Sequence, residues 1–371
     1  MHTLLHSLAL IATAANAADL GCPYVNWTTI SAIQSFNKNT SQYEIVDRDC
    51  NILPNTTAFQ AIGDIENSME TRVEYKNMPW LVDIEHALWP RFMSSLTLQN
   101  VGVPSLKAIG GVTQDWANGR RQSAWKKGME QLSLTNMAID AMPVNLPKHT
   151  MYMSFANVSV SNMASFAAIR PYKLDLRVVP DLRLENLDYG SLAMLSISNT
   201  NVKAISNVQF KDATYLSFSN VTIDAIHDIE VRDLNRVWFT NARVSNWLMD
   251  AKTFYVFNSM PQSEWRPQSG GVGLSLGWNL KDSSFTYDKS LCDKQSGSVK
   301  TLWSQANLVV CVLPQPSFET GSNAVVVIGV SAASVIVLAG VLVIMYRKKV
   351  AALTSKYEST RSPTFTAKSI A

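Results

Sequence analysis

A short apolar pattern returns along this chain at a fixed interval, and a fixed interval admits few architectures other than stacked coils. In LSFSNVTIDAI, from Leu216 to Ile226, apolar or small residues stand at offsets 0, 2, 5, 7 and 10, with Asn220 at offset 4. Segments starting at Leu96, Leu132, Met153, Leu195 and Val237 match at every one of these positions, and VEYKNMPWLVD from Val73 matches except at its last. The starts at 132, 153, 195, 216 and 237 are separated by 21, 42, 21 and 21 residues. The gap of 42 predicts one more coil at Leu174, where Leu176 and Val179 keep the pattern but Val178 replaces Asn and Asp181 replaces an apolar residue. A full match at Leu182 lies 13 residues before Leu195. That is shorter than a solenoid coil, whose periods begin near ~20 residues, so Leu174 is taken as the strand.

Offsets 0 and 2 alternate as in a strand, turning two apolar side chains inward and offsets 1 and 3 outward. One coil cannot bury its own apolar face, whereas stacked coils share a continuous core and a parallel sheet. The expected fold is an α/β or mostly β solenoid of parallel strands in 21-residue coils, with Leu134, Phe155, Ile197 and Phe218 forming one buried column. The pattern resembles the leucine-rich-repeat family, L-x-x-L-x-L-x-x-N-x-L, over about residues 73–247. One departure is evident: the family Asn falls at offset 5, where this chain has Val, Met, Thr or Ala, and its own Asn stands one place earlier. A different parallel β-solenoid is the alternative.

The flanking segments are expected to divide as follows. Residues 1–17 read as a secretory signal peptide ending in the small-x-small sequence Ala15-Asn16-Ala17. Residues 18–70, with Cys22 and Cys50, form an amino-terminal cap, and 251–321, with Cys292 and Cys311, a carboxy-terminal one; the array occupies 71–250. Four cysteines allow three pairings, of which the two local ones, Cys22 with Cys50 and Cys292 with Cys311, are favoured. Neither pair has zinc spacing, so no metal or other cofactor is expected. The distance from Leu96 to Leu132 requires an insertion at 110–130, where Trp116, Arg120, Arg121, Trp125, Lys126 and Lys127 interleave. Such residues suit an acidic partner, though a solvated loop or short helix is the plainer reading, and the secretory compartment argues against nucleic acid. The glycines of GGVGLSLG from Gly270 lack the Lys-Ser/Thr of a phosphate loop.

Ala324 to Met345 is 22 residues without a charge. As a helix it spans about 33 Å against a bilayer core of ~30 Å. The membrane segment is placed at 322–346, and Arg347, Lys348 and Lys349 put the tail, 347–371, on the cytoplasmic side. That tail carries six of the 32 basic residues and one of the 29 acidic ones, leaving 26 basic against 28 acidic elsewhere. The net charge of +3 therefore belongs to the tail, beside an anionic inner leaflet, and not to the ectodomain. The location expected is the plasma membrane, single-pass with the amino terminus outside. Sequons at Asn26, Asn39, Asn55, Asn157 and Asn220 accord with that route, the first three being the better glycan acceptors.

Outward offsets from Thr97 to Thr240 are mostly Ser and Thr, with Asp175 their single carboxylate, and the mature chain has three His, at 86, 149 and 227. Paired carboxylates or a nucleophile beside a base would be expected of a polysaccharide-cleaving solenoid. Their absence from these positions argues against an enzyme. The candidate ligand face is Asp175, Arg177, Ser196, Ser198, Ser217, Ser219, Trp238 and Thr240, with Trp238 as anchor. Resemblance to leucine-rich-repeat receptor kinases, without the kinase, implies a receptor for an extracellular peptide, protein or glycan, with a membrane co-receptor as a further partner. An adhesive or structural surface protein, or the truncated product of such a kinase, are the alternatives. An epitope tag after Ala371 is expected to be reached by antibody only in permeabilised cells; labelling of intact cells contradicts the orientation.

Overall fold

A left-handed residue in each coil explains the spacing of the repeat. The computed structural model describes residues 22–85, 87–106, 130–143, 146, 150–263, 276–306 and 308–314. In it Asn77, Asn100, Asn136, Asn157, Asn199, Asn220 and Asn241 all have φ between 49° and 57°. Asn tolerates this region better than most side chains because its short polar group finds local hydrogen bonds. One such residue resets the two-residue alternation of the strand. Offsets 0 and 2 before it and 5 and 7 after it then all point inward, which is the burial seen in Tyr215–Ile223 and Arg236–Val244.

The amino-terminal cap contains β1 (Ile33–Asn37), β2 (Gln42–Val46) and β3 (Ala61–Ile62), with β1 antiparallel to β2 and parallel to β3. The array follows as β4 (Arg72–Met78), β5 (Ser95–Val101), β6 (Gln131–Ile139), β7 (Tyr152–Val160), β8 (Lys173–Arg177), β9 (Leu182–Asp188), β10 (Met194–Phe210), β11 (Tyr215–Ile223), β12 (Ile226–Val231) and β13 (Arg236–Val244). The carboxy-terminal end has β14 (Leu248–Asp250), α1 (Ala251–Asn258), β15 (Gly277–Lys281), β16 (Ser284–Phe285), α2 (Lys289–Lys294), β17 (Ser298–Leu302) and β18 (Leu308–Leu313). On the first face the parallel order is β4-β5-β6-β7-β8-β10-β11-β13-β15. The chain is thus a parallel β-solenoid with 21-residue coils, and its register pairs Leu176 with Ile197, Ile197 with Phe218 and Phe218 with Phe239.

The expected column is buried: Leu134, Phe155 and Ile197 are inaccessible to solvent and Phe218 nearly so, with the Phe218 and Phe239 rings stacked at 4.9 Å. The coil at Leu174 is also present as β8. The match at Leu182, set aside on spacing, is a strand as well. It belongs to a further face of the same coil, where β9, the second half of β10 and β12 pair in parallel. Asn186, Asn207 and Asp228 repeat the left-handed conformation there at the same 21-residue interval, and Asn207 donates to Asn186 over 2.8 Å. The thirteen residues from Leu182 to Leu195 therefore run from the further face of one coil to the first face of the next, and are not a whole coil.

The side chains at the first left-handed position bond coil to coil. Asn157 donates to Asn136 (3.0 Å), Asn220 to Asn199 (3.1 Å) and Asn241 to Asn220 (2.8 Å), an amide row like those of stacked cross-β segments. This row lies on the surface, not in the core. Stacking ends at caps held by the disulfides Cys22–Cys50 and Cys292–Cys311. At the first cap the Tyr75 hydroxyl donates to Gln34 Oε1 (2.7 Å), tying the opening coil to β1. Gly63 is required beside it, since a Cβ would meet the Tyr24 hydroxyl at 2.5 Å. At the other end Asp250 caps α1 by accepting from the Thr253 amide, the Trp303 indole donates to the Phe257 carbonyl, and Trp278 and Trp303 stack at 5.0 Å.

Val178 breaks the row. It holds φ 52° with a β-branched side chain that is 44% exposed, so neither packing nor an amide bond offsets the strain. A left-handed non-glycine residue costs about 1–2 kcal/mol. Val178→Asn is expected to recover roughly 1 kcal/mol of it and to join Asn157 to Asn199. The midpoint of urea unfolding should rise with the slope unchanged; a midpoint that falls contradicts the strained corner.

Candidate functional site

Parallel register sets the outward side chains of the first face in rows. Offset 1 places Asp175, Ser196, Ser217, Trp238 and Asn279 side by side, and offset 3 places Arg177, Ser198, Ser219, Thr240 and Lys281. The eight residues expected to form a ligand face thus lie on four adjacent strands, β8, β10, β11 and β13. The serines and Thr240 are half-buried and form a shallow floor.

At one side of the floor Asp175 is only 7% exposed, because its neighbours enclose it. Arg177 donates to the same carboxylate oxygen from Nε (2.9 Å) and from Nη2, and the Tyr152 hydroxyl donates from the adjoining coil (3.2 Å). The hydrogen bond from Arg177 to Asp175 raises the guanidinium above its ordinary pKa. A carboxylate tied up in this way is not a free acid or base.

Trp238 stands at the other side, half-buried on the outward face beside Asn279 of β15. Its ring meets Tyr215 edge-on at 5.5 Å, and the Arg236 guanidinium carbon lies 5.1 Å from each ring centroid. Arg236 therefore sits between two aromatic faces, an arrangement that stabilises its charge without a carboxylate. Arg236 Nε and Trp238 Nε1 are both covered and without a hydrogen-bond partner; of five such side-chain atoms among the described residues, two adjoin here. Two covered donors thus stand close together at this end of the floor.

A third outward row, one residue before offset 0, was missed in the sequence. It carries Tyr152, Lys173, Met194, Tyr215 and Arg236 on β7, β8, β10, β11 and β13. Two-residue alternation would have revealed it, since it shares the parity of offsets 1 and 3.

Of the sequons, Asn26, Asn39 and Asn55 are exposed on the amino-terminal cap. Asn157 and Asn220 are exposed too, but their amides donate within the asparagine row. The signal sequence, the basic insertion from Trp116 to Lys127, His86, His149, Gly270 and the apolar stretch Ala324–Met345 lie outside the described residues. Among the described residues no helix is long and apolar enough to cross a membrane, and no three His, Cys, Asp or Glu gather as metal ligands. Comparison with known protein families, curated proteins and solved structures found no match.

Proposed function

We propose that the chain is a receptor-like surface protein whose solenoid, a leucine-rich-repeat-like ectodomain, recognises an extracellular ligand across its first face and performs no chemistry of its own. The observation that carries this reading is the floor between Asp175 and Trp238. Across β8, β10, β11 and β13 it offers hydroxyls, cations and half-buried aromatic rings, while its one carboxylate is held by Arg177 and Tyr152. Exposed Trp and Arg side chains contribute disproportionately to recognition, and small hydroxyls beside them satisfy polar groups of a bound molecule. The charge-free stretch Ala324–Met345 supplies the anchor and the basic residues after it the orientation, as expected from the sequence. Signalling would pass through a membrane co-receptor.

The test is an array of extracellular peptides and glycans probed with the full-length protein in detergent and with Ser217→Trp, which fills the floor with one bulky ring. Selective binding lost by at least about tenfold in the variant, the scale of a hot-spot contact, with an unchanged melting temperature, supports the reading. Ligands that bind both proteins equally place recognition elsewhere.

A further inference from the structure

The charges of the first face are unbalanced in a way those of the neighbouring face are not. Its outward rows carry six basic residues, Arg72, Lys76, Lys173, Arg177, Arg236 and Lys281, against Glu74 and Asp175. Both acids are engaged by a cation of their own strand, Glu74 by Lys76 and Asp175 by Arg177. Arg72, Lys173, Arg236 and Lys281 are left with no carboxylate partner among the described residues. On the face built from β9, β10 and β12 the cations are matched: Arg183 pairs with Glu185, Lys203 with Asp224, and Lys211 and Arg232 with Glu230. Cations left unpaired on this face while those of the neighbouring face are matched, in an ectodomain with no excess of base, suit a partner of opposite sign.

We infer that the occupant of the first face is an acidic polysaccharide carrying carboxylates, a uronate chain lying across the strands from β8 to β15. The inference rests on the recognition face proposed above and names its ligand class. Three features favour a glycan over an acidic peptide. The floor of Ser196, Ser198, Ser217 and Ser219 presents hydroxyls that both donate and accept, matching sugar hydroxyls. Tyr215 and Trp238 supply rings for the faces of pyranoses, while no apolar pockets alternate along the strip as peptide side chains would need. A peptide that adds to a sheet uses a free edge, and β8, β10, β11 and β13, which carry the floor, are paired with neighbours on both sides. Charge density favours carboxylates spaced along a chain over closely packed sulfates. Lys173 and Arg236 are three strand steps apart, about 14 Å at ~4.8 Å per step, with neutral residues between. A pyranose residue is about one coil rise long, so carboxylates three residues apart would meet Lys173 and Arg236 while the residues between them lie over the serine floor.

The experiment measures binding of the full-length protein to an oligouronate long enough to cover the strip. Parallel arms use the neutral oligosaccharide of the same linkage, a sulfated oligosaccharide and poly-glutamate. The uronate is expected to bind best, and more weakly as salt is added. Arg236→Ala should lower its affinity by at least about tenfold, as for a lost charged hydrogen bond, with Arg236→Lys intermediate. Arg243→Ala, an exposed cation off this face, should leave it unchanged. If Arg236→Ala proves unstable, the exposed pair Lys173→Ala and Lys281→Ala should show the same loss. Absence of uronate binding, or equal binding of the neutral, sulfated or poly-glutamate probe, overturns the ligand class; the recognition face survives if that probe is lost in Ser217→Trp. Uronate binding indifferent to Arg236→Ala, the lysine pair and Ser217→Trp overturns both.

Discussion

A left-handed residue at the same place in each turn of the first face is the constraint on which this solenoid depends. Without it an extended strand would alternate in and out indefinitely, and offsets 2 and 5, being of opposite parity, would point to opposite sides. With it Phe218 and Val221 both enter the core, and the strand bends around an interior filled by Leu216, Phe218, Val221 and Ile223. The requirement selects the residue. Asn accepts the conformation, and where it repeats in successive coils its amide bonds from coil to coil, as Asn220 does with both Asn199 and Asn241. The 21-residue period thus aligns two networks at once, the apolar columns inside and the amide row outside.

The same period fixes the register of the outward face. Because Leu195 lies beside Leu216 and Val237, Ser196 must lie beside Ser217 and Trp238, and Met194 beside Tyr215 and Arg236. The core thereby assembles residues distant in sequence into one strip. It also sets what the strip can be: a continuous row of paired strands, with its features in the side chains. Such a surface suits extended ligands, and its unpaired cations at Lys173, Arg236 and Lys281 suit acidic ones.

Much of this was legible in the sequence because apolar spacing reports the inward register directly. The 21-residue coil, the strand at Leu174 despite Val178, the column through Phe218 and both cysteine pairs follow from position alone. Three features did not. The Leu182 strand is hidden because its distance to Leu195 is shorter than a coil, although Asn186, Asn207 and Asp228 share the 21-residue interval and mark a second corner. The row through Tyr215 and Arg236 was missed because the motif was counted from its first apolar residue. The location of the asparagine row, outside and not inside, depends on φ, which no spacing of apolar residues encodes.

The claim that one coil is a 21-residue unit bounded by left-handed corners is tested most directly by removing one. Deleting Leu195–Tyr215 should bring Leu174 beside Leu216 and Asn186 beside Asp228, preserving every row across the junction. The account predicts a shorter protein that still unfolds cooperatively in urea, while deletion of Leu195–Thr214, one residue fewer, loses the folded state. Equal loss of the cooperative transition in both deletions would contradict it.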